Sequence, residues 1–193
     1  MKRQLSFQEY RTIDLALFAM MAVIFELIIV KVSRSVLFAD QSFTVSLAGA
    51  LVSIVYMRWG FWGALEAALF GFLDCIYSGA ALNQYMIYIA GNLLSLLMVF
   101  LPQKLGYEKV RTAQWWLLFP LGVILLMQLG RILMAILLGT EVQVAFGFFT
   151  TDSLSILFTL VILWIAHRLD GIYENQKHYL LRVHEEQKNN GVS

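Results

Sequence analysis

The chain has 193 residues, of which 60% are hydrophobic and 14% charged, with a net charge of +1 and a mean hydropathy of +0.71. Soluble domains run at roughly 45–50% apolar and about 25% charged, so the composition excludes an ordinary water-soluble domain and identifies an integral membrane protein. The net charge says little about partners because the charges are sorted by side, no nucleic-acid partner is expected, and the single cysteine, Cys75, excludes an internal disulfide.

Six apolar segments follow one another, each to be measured against the roughly 20 residues a span needs. The first, about Leu15–Val30, is preceded by mixed charges (Lys2, Arg3, Glu9, Arg11, Asp14), and no small-x-small site follows it before Lys31. No cleavable signal peptide is therefore expected. The second, about Phe43–Met57, is short and must be tilted or extended by its flanks. The third, about Phe61–Ser78, carries Gly63, Ala67 and Gly71 at four-residue spacing beside Gly60, Ala64 and Ala68. Small residues so spaced let helix backbones approach closely. At about 100° per residue Asp74 projects into the same sector as Gly63 and Gly71. Glu66 projects about 80° away from Asp74 and lies deeper, where it faces a partner or pairs with Arg58. The fourth, fifth and sixth segments run about Leu82–Leu101, Gln114–Leu138 and Phe146–Ala166, the fifth being long enough to tilt. After Asp170, Ile172, Tyr173, Tyr179, Leu180 and Val183 recur at helical spacing with Lys177, Arg182 and Glu185 elsewhere. The tail, about 171–193, therefore reads as a short amphipathic helix at the inner surface, with a frayed polar end as the alternative. Residues 1–193 form one domain, an all-α membrane bundle of six helices.

Orientation follows from the basic residues in alternate loops. One side holds eleven: Lys2, Arg3, Arg11, Arg58, Lys104, Lys109, Arg111, Arg168, Lys177, Arg182 and Lys188. The other holds Lys31 and Arg34 alone. Both termini are placed in the cytoplasm, and Trp59, Trp62, Trp115, Trp116 and Trp164 all fall near that interface. The protein is expected in the plasma membrane of a bacterium.

In this topology Glu26, Asp74, Arg131 and Asp152 all lie in the outer halves of their spans. A charge in hydrocarbon is costly, so such residues tend to face a bundle interior or a wet cavity and mark a site. Polar and aromatic neighbours gather at the same level: Tyr77, Asn83, Gln84, Tyr85, Tyr88, Asn92, Gln128, Thr150, Thr151 and Ser153. The substrate-binding set read from them is Asp74, Tyr77, Asn83, Gln84, Tyr88, Asn92, Gln128, Arg131, Thr151 and Asp152. Arg131 is its keystone, paired with Asp74 or Asp152. The competing reading is a ring of snorkelling interface residues with one ion pair.

Several chemistries lack their residues. There is no G-x-x-x-x-G-K-[ST] loop for ATP and no H-E-x-x-H. His167, His178 and His184 lie at the inner end, far from the acidic cluster. No enzyme activity, cofactor or metal is expected. The two three-helix halves do not resemble each other, which argues against a self-sufficient secondary transporter of inverted repeats.

The runs Phe43-Thr-Val-Ser-Leu, Arg58-Trp-Gly-Phe-Trp-Gly-Ala and Gly71-Phe-Leu-Asp-Cys-Ile-Tyr-Ser-Gly79, with the opening Asp14-Leu-Ala-Leu-Phe-Ala-Met-Met-Ala22, resemble the substrate-binding (S) components of energy-coupling factor vitamin transporters. The resemblance spans nearly the whole chain and rests on the order of these runs. It implies a vitamin held between the outer ends of the later helices and their loops. It also implies docking onto a shared transmembrane scaffold subunit and two ATPase subunits. The family often carries Ala-x-x-x-Ala on its first helix for that docking. Here Ala16, Ala19 and Ala22 step by three and are the docking candidates, with packing inside the bundle as the alternative. The glycine-rich third helix followed by Leu73-Asp74 is also similar to the small membrane scaffold of bacterial rod-shape machinery, an interaction protein with no ligand.

Three carboxyls against one arginine disfavour a carboxylate vitamin such as biotin, pantothenate or folate. A neutral or cationic one suits better. Cobalamin, rich in amides, is favoured over riboflavin, pyridoxine-like rings and thiamine, with the Lys31–Ser42 stretch as a lid.

Overall fold

The computed structural model describes residues 6–32, 45–114 and 116–189. All regular structure among them is helical. The first helix, α1 (Phe7–Val32), starts on a reciprocal cap. Ser6 Oγ accepts the Glu9 amide at 3.2 Å, and the Glu9 carboxylate accepts the Ser6 amide at 2.9 Å.

Side-chain contacts give the direction of each rod. Helix α2 (Ala48–Trp59) runs against α1: Leu47, before its first turn, donates to Glu26 at 3.2 Å, and Arg58, in its last turn, pairs with Asp14 at 2.7 Å. Gly60, at φ +59°, reverses the chain through a 3-10 turn (Gly60–Trp62) into α3 (Gly63–Ser78). Helix α3 returns beside α1, with Arg11 over the Trp62 ring at 4.2 Å and the Tyr77 hydroxyl donating to Val23 O at 3.0 Å. It stops at Gly79, whose φ of +65° makes the left-handed cap that glycine adopts without strain.

Helix α4 (Leu82–Leu93), a 3-10 stretch (Leu94–Val99) and α5 (Phe100–Leu105) form the next rod. After α6 (Tyr107–Thr112), α7 (Leu118–Leu137) runs antiparallel to that rod, with Gly122 against Met98 and Gly130 against Gly91. Pro120 lies in the first turn of α7, where its missing N–H costs nothing. Two short helices, α8 (Val142–Ala145) and α9 (Gly147–Thr151), lead into α10 (Ser153–Arg168), and α11 (Gln176–Asn189) closes the chain.

Five helical stretches are long and apolar enough to cross a membrane: Phe7–Val32, Ala48–Ser78, Leu82–Leu105, Leu118–Leu137 and Val142–Arg168. The second of these is α2 and α3, folded back on each other at Gly60. Every residue of α2 is buried, so this short helix is the centre of the bundle. That explains its unbroken apolar run, since a helix covered on all sides needs no polar face. By contrast α1 turns Leu17, Met20, Ile24 and Ile28 outward while Asp14, Ala22 and Glu26 face in. An apolar exterior over a partly polar interior suits a lipid solvent.

The small residues of α3 do pack rods together. A Cβ on Gly63 would overlap the Tyr56 ring of α2, and one on Gly71 would sit 2.6 Å from the Tyr88 carbonyl oxygen of α4. The closest approach was not read from the sequence: Gly91 and Gly130 bring the backbones of α4 and α7 together, so that a Cβ on Gly91 would meet the Arg131 nitrogen at 2.6 Å.

Candidate functional site: a polar cluster around Arg131

Gln128 and Arg131, one turn apart on α7, both turn into the bundle and are buried. The Arg131 guanidinium donates to Asp152 Oδ2 at 2.7 Å, to Asp74 Oδ2 at 3.3 Å and to Asn92 Oδ1 at 2.8 Å, and lies 4.5 Å over the Tyr88 ring. It thus pairs with both aspartates that the sequence offered as alternatives. Asn92 is held in turn by its Nδ2 bond to Ala67 O at 3.0 Å, made where the small residues of α3 let α4 come close. Gln128 Nε2 donates to Asp152 Oδ2 at 2.6 Å. Asp152 occupies the cap position of α10 without capping it with its side chain, because the carboxylate points to Arg131 and Gln128 instead.

Glu26 completes the group. It is fully buried, its Oε2 accepts the Leu47 amide, and its carboxyl neighbours Asp74 and Ser46. Three carboxyls therefore surround one guanidinium. Buried polar atoms are nearly always hydrogen-bonded, yet Glu26 Oε1, Gln128 Oε1 and Thr159 Oγ1 have no partner among the described residues. Gln128 and Thr159 line a cavity of about 20 Å³ with Arg131, Asp152, Ser46 and Ser155. That is room for one water, which needs about 10–15 Å³.

Of the expected binding set, Asp74, Tyr88, Asn92, Gln128, Arg131 and Asp152 come together here. Asn83 and Gln84 are exposed at the start of α4 and stand apart from the cluster. The Tyr77 hydroxyl is bonded to the α1 backbone, and Tyr85 packs its ring on Phe72. The Thr151 side chain, most of the Lys31–Ser42 stretch and Trp115 lie outside the described residues. Ser46, Ser155 and Thr159 were missed as members. The last two follow Asp152 by three and seven residues on the inward face of α10, a helical spacing that would have flagged them. Among the docking candidates Ala16 is exposed, Ala19 half-buried and Ala22 wholly inside the core, so Ala22 offers no surface to a partner.

The opposite end carries a second cluster, which the apolar pattern does not reveal because Arg58 stands at the end of its run among the basic loop residues. Arg58 is buried. Its Nε and Nη2 grip both oxygens of Asp14 at 2.8 and 2.7 Å, and its Nη1 donates to Gly171 O and Ile172 O. Trp59 Nε1 also donates to Asp14. The expected alternative pairing of Arg58 with Glu66 is thereby ruled out; Glu66 is buried and its Oε2 has no partner. Around this clamp the chain end is tied down by Tyr10 to Gln176 at 3.1 Å and by Arg111 to Glu174 at 2.9 Å. Tyr173 is buried there without a partner for its hydroxyl, and burial pushes its pKa upward.

Among the described residues no group of three or more His, Cys, Asp or Glu side chains is placed to hold a metal ion. No protein family, curated protein or solved structure matches the chain.

Proposed function

We propose that this chain is the substrate-binding membrane subunit of an energy-coupling factor importer for a water-soluble vitamin, lodged in a bacterial plasma membrane with six spans and both termini in the cytoplasm. One observation carries the reading: at a single end of the bundle, a buried arginine gathers carboxylates from α3 and from the head of α10 and an amide from α4, and leaves buried acceptor oxygens unfilled. A purely structural ion pair has no need of spare acceptors. The cluster forms the floor of the site, and the ligand lies above it, between the outer ends of α3, α4, α7 and α10. A ligand with hydrogen-bond donors suits such a floor, and cobalamin is the first vitamin to test. With no nucleotide-binding loop of its own, the chain works with a scaffold subunit and two ATPases, to which Ala16 and Ala19 remain available. Isothermal calorimetry on the purified full chain, with cobalamin, riboflavin, pyridoxine and thiamine beside biotin as a carboxylate control, tests the reading. Tight binding of one of the first four supports it. Binding of none, by protein whose thermal unfolding remains cooperative, overturns it.

The size of the cavity favours a second reading. At about 20 Å³ it falls far below the roughly 300–1,000 Å³ of small-molecule sites. A cluster so closed also suits a membrane scaffold of the rod-shape machinery type, which holds helices in register and takes no ligand. A folded chain that binds no vitamin is the result this reading expects.

A further inference from the structure

We propose that a cavity of about 290 Å³ at the Arg58 end of the bundle binds the phosphate of an anionic phospholipid. The proposal rests on the membrane reading, with this end at the cytoplasmic surface, and not on the vitamin or the scaffold.

Three cations, Arg11, Arg58 and Lys177, line the cavity, and no carboxylate does. Arg58 is already neutralised by Asp14, and its Nη1 is taken by the Gly171 and Ile172 carbonyls. Arg11 and Lys177 have no ion-pair partner among the described residues; Arg11 has only the face of Trp62, 4.2 Å from its guanidinium carbon. Its N–H groups remain for a ligand, and a guanidinium suits phosphate oxygens well. The remaining polar walls are Gln103, Asn175 and Tyr107. Burial holds the Tyr107 hydroxyl above its ordinary pKa, so it stays protonated and able to donate.

The neighbouring cavity of about 480 Å³ is a useful contrast. It shares the Gln103, Tyr107 and Asn175 walls, but there Lys109 and Arg111 are offset by Glu108 and Glu174. Only the smaller cavity carries an uncompensated positive charge, and that charge selects an anion.

An apolar track selects the lipid among anions. Phe61 and Trp62 line the cavity and are 43% and 47% exposed. Phe100 packs edge-on against Phe61 at 5.3 Å, and Leu97 and Leu93 continue from it up the outer face of the α4–α5 rod, all three exposed. A phosphate seated at Arg11 and Lys177 thus has an acyl path leading towards the bilayer interior. Basic pockets at the cytoplasmic ends of membrane helices hold anionic headgroups in this way, each cation near the surface contributing about 1 kcal/mol, or roughly fivefold in affinity. The bound lipid would bridge α1, the α2–α3 turn, α5 and the start of α11.

The test uses the purified full chain in phosphatidylcholine nanodiscs, with thermal unfolding and native mass spectrometry as readouts. Adding phosphatidylglycerol should raise the melting temperature and leave lipid bound. Arg11→Gln with Lys177→Gln should cut that retention by about tenfold or more, whereas Lys109→Gln in the neighbouring cavity should leave it intact. Wild-type protein alone decides the matter if the double variant fails to fold: equal retention of phosphatidylcholine and phosphatidylglycerol overturns the proposal. Equal stabilisation by inorganic phosphate also overturns it, because the acyl track would then contribute nothing.

Discussion

At one end of the bundle Arg58 meets a single carboxylate and two backbone carbonyls, whereas at the other Arg131 meets two carboxylates, an amide oxygen and the face of a tyrosine. Both guanidiniums are buried and both tie distant helices together. The first arrangement is balanced, one charge against one, with both Asp14 oxygens engaged. The second is not: Glu26 adds a third carboxyl beside Asp74, and three buried oxygen atoms nearby lack donors. A balanced, saturated ion pair is a clamp. On the proposed reading an unbalanced one is where a further group is taken up; the imbalance of charge makes the contrast, since Glu66 Oε2 and the Tyr173 hydroxyl also lack partners towards the Arg58 end.

The sharpest way to break that comparison is to remove each arginine in turn. Arg58→Ala strands Asp14, and Arg131→Ala strands Asp74 and Asp152. Each should cost about 3–5 kcal/mol, the usual penalty for leaving a buried charge unpaired, as read by thermal and chemical unfolding in detergent. The ends should part when both partners go. Arg131→Met with Asp74→Asn and Asp152→Asn, which neutralises both carboxylates that Arg131 pairs, should recover folding but not ligand affinity, whereas variants of Arg58 should leave calorimetric affinity unchanged in whatever fraction folds. If Arg131→Ala changes neither stability nor binding, the cluster is not the site.

A smaller effect probes how the Arg131 cluster is built. Gly130→Ala would drive a methyl group into the Gly91 carbonyl across the α4–α7 contact, and overpacking of this kind costs about 1–3 kcal/mol. Because the backbone of Arg131 itself lies in that contact, the variant should lower ligand affinity as well as stability. Gly147→Ala, where a Cβ meets nothing within 4 Å, is the neutral control. A Gly130→Ala protein with wild-type melting would mean that the two helices can part without cost.

The smallest expected effect sharpens the comparison most. Among the described residues Glu26 Oε1 has no partner, and Oε2 accepts the Leu47 amide beside Asp74 and Ser46. Glu26→Gln keeps that bond and removes a carboxyl from an acid-rich group, so its unfolding free energy should stay within about 1 kcal/mol of wild type or rise. Asp14→Asn at the other end weakens bonds to a charged partner through both oxygens and should cost about 1.5–3 kcal/mol. Equal losses at the two positions would erase the distinction between clamp and site.

Much of the Arg131 cluster was legible because depth in a bundle follows from position along a helix. Asp74, Arg131 and Asp152 fall at one level once the apolar runs are aligned, and Gln128 joins Arg131 by one-turn spacing. The rim residues Asn83 and Gln84 share that level, but the start of α4 turns them outward, and level alone does not report facing. Glu26 was seen as an ionisable outlier yet left out of the binding set, since its tie to Leu47 crosses between helices. Arg58 was misread for a related reason. It stands at the end of an apolar run, where basic residues usually meet water and headgroups, and nothing local shows that Asp14 and the Gly171–Ile172 carbonyls would enclose it.

The amino-acid sequence by itself determined that this chain is helical with rods apolar enough to cross a membrane, where those rods lie and at which level Glu26, Asp74, Arg131 and Asp152 sit. Hydropathy and the helical period are properties of neighbours along the chain, and they need no knowledge of the fold. Only the tertiary structure decided that α2 is the covered centre, that Arg131 takes both aspartates, that Ala22 packs inward and that the cavity beside the cluster is the size of one water. Those outcomes join residues far apart in sequence, as Arg131 does with Asp74 and Arg58 with Asp14. They depend on how closely glycines such as Gly91 and Gly130 allow rods to approach, and interhelical distance is set by the packing of whole surfaces.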